Sequence, residues 1–196
     1  MCIDFKLPIK MKKSHPTPLP FTALSALDES GFMQLLGGVV ELSPWVVQQT
    51  WKNRPFASRE AVFEALRDGI LHAPRDAQLA LLRGHPELAG REAVAGTMTP
   101  ESNAEQSRLG LLALSRAELE HLNDLNRRYR ERFGMPFVVA LRLHPSLHSV
   151  FTDFENRLGL SADEELQNAL QQVCAVMRGR LEQTLADIPA VTAVPT

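Results

Sequence analysis

The amino-acid sequence predicts an all-α fold, a single-domain helical bundle carrying one short extended apolar segment. Three observations predict it. Helix-starting signals recur along the chain, two of them full capping-box patterns, Ser115-x-x-Glu118 and Ser161-x-x-Glu164. Between those starts the apolar residues repeat every three or four positions, the period of one helix face. The run that breaks the period, MPFVVAL at 135–141, is short, uninterrupted and rich in β-branched residues, which suits an extended buried segment. No βαβ alternation, glycine-rich phosphate loop or internal repeat competes with this reading.

In chain order, residues 1–20 mix prolines and lysines without a helical period and are expected to form a loose arm, with 21–186 as the domain and 187–196 as a tail. Asp28 is placed to cap a short helix bearing Phe32, Met33, Leu35 and Leu36, which Gly37-Gly38 ends. Ser43-Pro44, a cap followed by proline at the first helical position, opens a helix with Trp45 and Trp51. Ser58 starts the next, with Ala61, Val62, Ala65, Leu66 and Ile70 on its apolar face. Asp76 is expected to open a shorter helix through Leu79, Leu82 and Arg83 that delivers the chain to His85. Thr99, with Pro100 behind it, opens the helix of Glu105. The helix from Ser115 carries Leu119, Leu122, Leu125 and Tyr129 and ends near Phe133-Gly134. After the extended run, a helix over about 146–158 brings Phe151, Phe154 and Arg157 before Gly159 stops it. The last and longest helix has Leu166, Ala169, Leu170, Val173, Val176 and Met177 as its stripe.

A chain of 196 residues suits one domain with a substantial core. The composition, 44% hydrophobic and 22% charged, is that of a globular protein. A net charge of −2 gives no electrostatic reason to expect nucleic acid or an anionic membrane as partner. Cys2 and Cys174 lie at opposite ends, which is neither a disulfide framework nor a zinc pattern and fits a reducing compartment. No apolar run approaches membrane-spanning length, and the first twenty residues lack the continuous apolar stretch of a signal peptide. The final VPT is not a peroxisomal tripeptide. A cytoplasmic protein is expected.

The stretch GHPELAGREAVAGTMTPESNAEQ, residues 84–106, concentrates the candidate chemistry. Pro86 biases His85 away from helical torsions, so the imidazole sits at a bend. On the following helix Ser102, Glu105 and Gln106 stand at i, i+3 and i+4 and share a face. An imidazole beside a hydroxyl, a carboxylate and an amide makes a small polar pocket. Taken singly, each residue also has a structural reading: a His-Pro turn, or a first-turn glutamate that favours the helix dipole. His15, His72, His121, His144 and His148 form no grouping, and neither HExxH nor metal-ligand spacing occurs, so no metal is expected. Cys174, on the apolar stripe of the last helix, reads as a small buried hydrophobe.

Several separated stretches resemble one family in the right order. They are SPWVVQQTWKNRPF (43–56), QLALLRGHPELAG (78–90), SNAEQ (102–106), RFGMPFVVAL (132–141), ENRLGLSADEELQNAL (155–170) and RGRL (178–181). Together, from Phe21 to Leu185, the chain resembles the decarboxylases of 2-oxo-4-hydroxy-4-carboxy-5-ureidoimidazoline (OHCU). The resemblance implies a carboxy-lyase, independent of metal or organic cofactor, that converts OHCU to S-allantoin and CO2 in urate degradation. It implies His85 and Glu105 as catalytic residues, His85 being the proton donor with an imidazole pKa near ~6.5. Substrate contacts are implied for Pro86, Ser102, Asn103, Ala104, Glu105, Gln106, Phe137, Val138, Val139, Ala140, Leu141 and Arg157. The planar fork of Arg157 suits the substrate carboxylate, with Arg180 as the other candidate for that duty. A homodimer is implied as well. After Leu141 the chain departs from the family, reading LRLHPSLH where members often carry a basic or glycine-rich segment. The alternatives are a non-catalytic helical binding domain and an enzyme acting on a related ureide.

Overall fold

Side-chain caps start most of the helices at the residues the sequence marks. Asp28 accepts from Gly31 N at 2.8 Å and Ser58 from Ala61 N at 3.0 Å. Thr99 and Ser146 do the same for Ser102 N and Ser149 N, each at 3.2 Å. Ser115 and Ser161 complete reciprocal capping boxes with Glu118 and Glu164. The computed structural model describes residues 18–90, 93 and 95–187. Eight α-helices run through the described residues: α1 Glu29–Leu36, α2 Pro44–Trp51, α3 Arg59–Leu71, α4 Arg75–Arg83, α5 Pro100–Arg108, α6 Arg116–Phe133, α7 Leu147–Arg157 and α8 Ala162–Thr184. Two 3-10 turns, Phe21–Ala26 and Leu141–Leu143, complete a mainly α fold. α4 begins behind Pro74, so Asp76 does not cap it but sits in its first turn, where its charge favours the dipole. α6 stops at Gly134, which takes φ 67° and returns its N–H to Arg130 O.

α8 is the axis of the core. Its buried stripe, Leu166, Ala169, Leu170, Val173, Cys174, Met177 and Leu181, packs against α1, α3, α4 and α6. Burial pushes the Cys174 thiol up to about 11, as befits a core residue. Met135–Leu141 leaves the helical register and crosses the core with Phe137, Val138, Val139 and Ala140 buried, the extended apolar segment expected from the sequence. Phe137 stacks on Phe154 with ring centroids 3.8 Å apart, and Tyr129 meets both rings edge-on at 5.3 and 5.4 Å.

One buried ion pair corrects an expectation. Arg157, only 3% exposed, donates through Nε to both oxygens of the fully buried Glu165 and through Nη1 to Val138 O at 2.9 Å. Tyr129 donates its hydroxyl to the same carboxylate. The Arg157 guanidinium is therefore committed inside the fold and does not reach a substrate pocket. Arg157→Ala leaves Glu165 buried and unpaired. It is expected to remove about 3–5 kcal/mol of stability, read as a lowered urea midpoint at unchanged slope.

The boundaries of the domain also differ from expectation. Leu19–Pro20 forms a two-residue strand, β1, paired in parallel with β2, Leu185–Ala186, so these positions belong to the fold rather than to an arm. Their backbone groups find partners beside the end of α8. The remainder of the expected arm and tail, 1–17 and 188–196, lies outside the described residues. No helix among the described residues is long and apolar enough to cross a membrane.

Candidate active site

His85 lies two residues beyond the end of α4, just past its cap Gly84. Its N–H still donates to Leu82 O at 3.1 Å, and Pro86 then prevents the helix from continuing. The loop that follows is held in shape from outside. Ala89, at φ 45°, donates its N–H to Gln106 Oε1 at 2.8 Å, and Gln106 Nε2 reaches back to Glu87 O at 3.3 Å. Asn126 Nδ2 donates to Leu88 O at 3.0 Å. The Gln106 amide, expected to touch substrate, thus has both ends engaged in fixing the loop that carries His85.

Arg180 and Val176 of α8 add to the lining, and the turn between α1 and α2 backs it from within the fold. Leu42 adopts φ 53° and stands 69% exposed, while Glu41 beside it is turned inward and buried. A left-handed torsion at a bulky residue is strained and persists only where its surroundings impose it. Glu41 accepts from the hydroxyls of Thr99 and Ser102, the latter at 2.6 Å, and from Arg180 Nη1 and Nη2 at 3.2 and 3.3 Å. Arg180 turns the rest of its fork to Glu105, donating through Nε at 2.9 Å and Nη2 at 2.8 Å. It also donates to Ser102 Oγ at 3.2 Å. One buried cation is thus flanked by two carboxylates, with Glu105 the more accessible of the two.

Burial decides the state of His85, and these charges adjust it. Burial pushes its imidazole down to about 4. The Glu41 carboxylate opposes that shift and the Arg180 charge adds to it. The ring is therefore neutral at pH 7. Its Nε2 is buried and has no hydrogen-bond partner among the described residues. Burial alone would raise Glu41, but the hydroxyls of Ser102 and Thr99 and the charge of Arg180 override it and hold Glu41 below the usual carboxylate range.

His85, Pro86, Leu88, Ser102, Glu105, Gln106, Phe137, Val138, Val139, Leu141, Val176 and Arg180 line one pocket, partly open to solvent. It unites most of the residues singled out in the sequence. It leaves out Asn103 and Ala104, which face solvent on α5, and Ala140, which is buried behind the wall. Arg157 is absent too, whereas Arg180, the other candidate for the carboxylate, is part of the lining. Sequence reasoning missed Glu41, Leu88 and Val176. Glu41 had a signal: it is the one charge in the run GGVVELSPWVV, and a carboxylate there must find a buried partner. Among the described residues no group of three His, Cys, Asp or Glu side chains stands ready for a metal ion.

An imidazole that can exchange a proton and a guanidinium held between two carboxylates line one pocket, whose remaining wall offers backbone and apolar surface. This combination suits acid–base chemistry on a small polar molecule. Comparison with known proteins agrees: the OHCU decarboxylase family model matches residues 25–182, and the chain belongs to that family. It is a carboxy-lyase of urate degradation. The 2-oxo-4-hydroxy-4-carboxy-5-ureidoimidazoline decarboxylase of Mus musculus is 38% identical over 165 residues, covering 83% of this chain and 90% of the relative. That of Halalkalicoccus jeotgali is 36% identical over 167 residues, 85% of this chain and 92% of its own. The crystal structure of (S)-allantoin synthase superposes with a TM-score of 0.69 at 25% identity, over 86% of this chain and 54% of that one. A crystal structure of OHCU decarboxylase in the presence of (S)-allantoin shares the fold, with a TM-score of 0.60 at 16% identity over 80% of this chain and 97% of that one.

Proposed function

We propose that this pocket converts OHCU to S-allantoin and CO2, with His85 as proton donor and Arg180 as anchor of the substrate carboxylate. The observation that carries the assignment is the placing of His85, Glu105 and Arg180 on one pocket. The substrate has a carboxylate on a hydroxyl-bearing ring carbon next to a ureido-substituted position. When the carbon–carboxylate bond breaks, CO2 leaves and its electron pair spreads into the ring. The ureido-bearing carbon is then protonated on one face while the hydroxyl-bearing carbon becomes a carbonyl, with one net proton taken up per turnover. Burial keeps His85 neutral in the free protein. An anionic substrate beside the ring raises its proton affinity, so the imidazole gains a proton as the substrate arrives and delivers it to one ring face. Delivery from one side gives a single enantiomer.

Glu105 acts on both partners. It fixes Arg180 and, being the more accessible carboxylate, accepts from the substrate's ureido or hydroxyl group. Ser102, Pro86 and the Phe137–Leu141 backbone complete the contacts, and exclusion of water strengthens each of them. The scheme uses only side chains and backbone of this chain.

We also propose a cytoplasmic homodimer. The free, buried Cys174 suits a reducing compartment, and the exposed Leu42 and Leu143 offer apolar surface to a second copy. A sedimentation velocity run showing only monomer at micromolar concentration would overturn the dimer.

The catalytic reading is tested by circular dichroism at an allantoin band while urate oxidase and hydroxyisourate hydrolase convert urate. Addition of this protein is expected to produce a fast, optically active S-allantoin signal. Only the slow racemic background, with well-folded protein present, would remove the assignment.

A further inference from the structure

Resting on that reading, we propose that Gln172 is a positioning residue of the reaction, acting with Arg157 and Arg108 to hold the Phe137–Leu141 backbone against the substrate. The segment is buried and extended yet belongs to no sheet: β1 and β2 pair only with each other. Buried backbone groups without a ladder must find other partners. Three helices supply them through side chains. Arg157 Nη1 of α7 donates to Val138 O at 2.9 Å. Gln172 Oε1 of α8 accepts from Ala140 N–H at 2.9 Å. Arg108 of α5 donates to Leu141 O.

In an extended chain, consecutive residues turn their backbone groups to opposite sides. Gripping Val138 and Ala140 from behind therefore turns Val139 forward. Val139 lines the pocket, and its N–H and C=O have no protein partner among the described residues. A donor and an acceptor side by side are left to meet a ureide edge. Gln172 matters most among the three because of where it stands. Gln172, Val176 and Arg180 are at i, i+4 and i+8 on α8, one face of one rigid helix. That face thus carries the strap behind the backbone segment, part of the pocket wall and the carboxylate anchor, spread over about 12 Å. The helix acts as a ruler between the two ends of the substrate.

The experiment measures S-allantoin formation by the full chain with Gln172→Leu, Gln172→Glu and, as an independent strap, Arg108→Met. Gln172 is half-buried, so both of its replacements fit the helix surface. Gln172→Leu is expected to raise KM about tenfold, because a small displacement of a reading group weakens every contact it makes. Gln172→Glu still accepts from Ala140 N–H and is expected to restore KM to within about threefold of wild type. Arg108→Met is expected to raise KM in the same direction. Wild-type KM and kcat in Gln172→Leu would overturn the proposal. So would an activity loss that follows only the folded fraction and is not rescued by Gln172→Glu. Wild-type protein run alongside separates the two layers: no S-allantoin there overturns the decarboxylase reading itself.

Discussion

His85→Asn is expected to lower turnover by about a thousandfold, in the range of a lost general acid, while (S)-allantoin still binds. Asparagine keeps a similar polar volume but cannot shuttle a proton. The wild-type pH profile carries the second half of this expectation. His85 in the free enzyme lies at about 4, so its protonated fraction falls steadily as pH rises above that value. If the proton enters with the substrate, kcat/KM falls about tenfold per pH unit between 6 and 8. A flat profile combined with an inactive variant would make His85 a substrate contact instead of the donor. The same shift has a stability signature. The unfolded chain, with His85 at its ordinary 6.5, binds more protons than the folded one between pH 6.5 and 4. The contribution is thus complete above pH 6.5 and is lost as pH falls toward 4, by about 3 kcal/mol. His85→Asn lacks this dependence, so the difference in unfolding free energy between the two proteins should narrow on acidification across that window.

Arg180→Met should be as damaging, for a different reason. The guanidinium balances Glu41 and Glu105 across α8. Without it two carboxylates face an incoming anion, and substrate affinity is expected to collapse by at least about a hundredfold. Glu41 would also be left buried without its cation, at a cost of about 3–5 kcal/mol. Because that uncompensated carboxylate gains from a proton, the variant's stability deficit should shrink as pH falls. A second change, Glu41→Gln, should recover much of the stability and none of the activity. Recovery of KM in the double variant would show that Arg180 serves the fold alone. Urea midpoints across pH and substrate-saturation curves measure the two effects separately.

The contrast between Arg157 and Arg180 shows what could and could not be read from the sequence. Both lie in short Arg-Leu steps on helices with apolar stripes, ENRL and RGRL. Their fates differ because of the carboxylates opposite them. Arg157 meets Glu165, eight positions away, and Arg180 meets Glu105 and Glu41, which are 75 and 139 positions away. Such separations are set by tertiary packing, and no local pattern encodes them. The helix starts were legible because a cap and its acceptor lie within one turn. The face joining Ser102 and Glu105 was legible because helical spacing is local as well. Gln106 was assigned to substrate because an amide on that face has no mark showing that Ala89, 17 residues earlier, already occupies its oxygen. Glu41 is marked in the sequence only by its isolation among apolar residues, and its partners Arg180, Ser102 and Thr99 are all far along the chain.

The pairing of Leu19 with Leu185 ties the first and last elements of the fold into a closed circuit. Adjacent strands lie roughly 5 Å apart, so the chain enters and leaves the domain at nearly the same point. A ring of this kind tolerates being cut elsewhere and rejoined there by a short linker, since little distance has to be bridged. It also means that a neighbour fused at either end would hang from the same corner. The domain thus behaves as a plug-in module whose attachment point is a single spot on its surface.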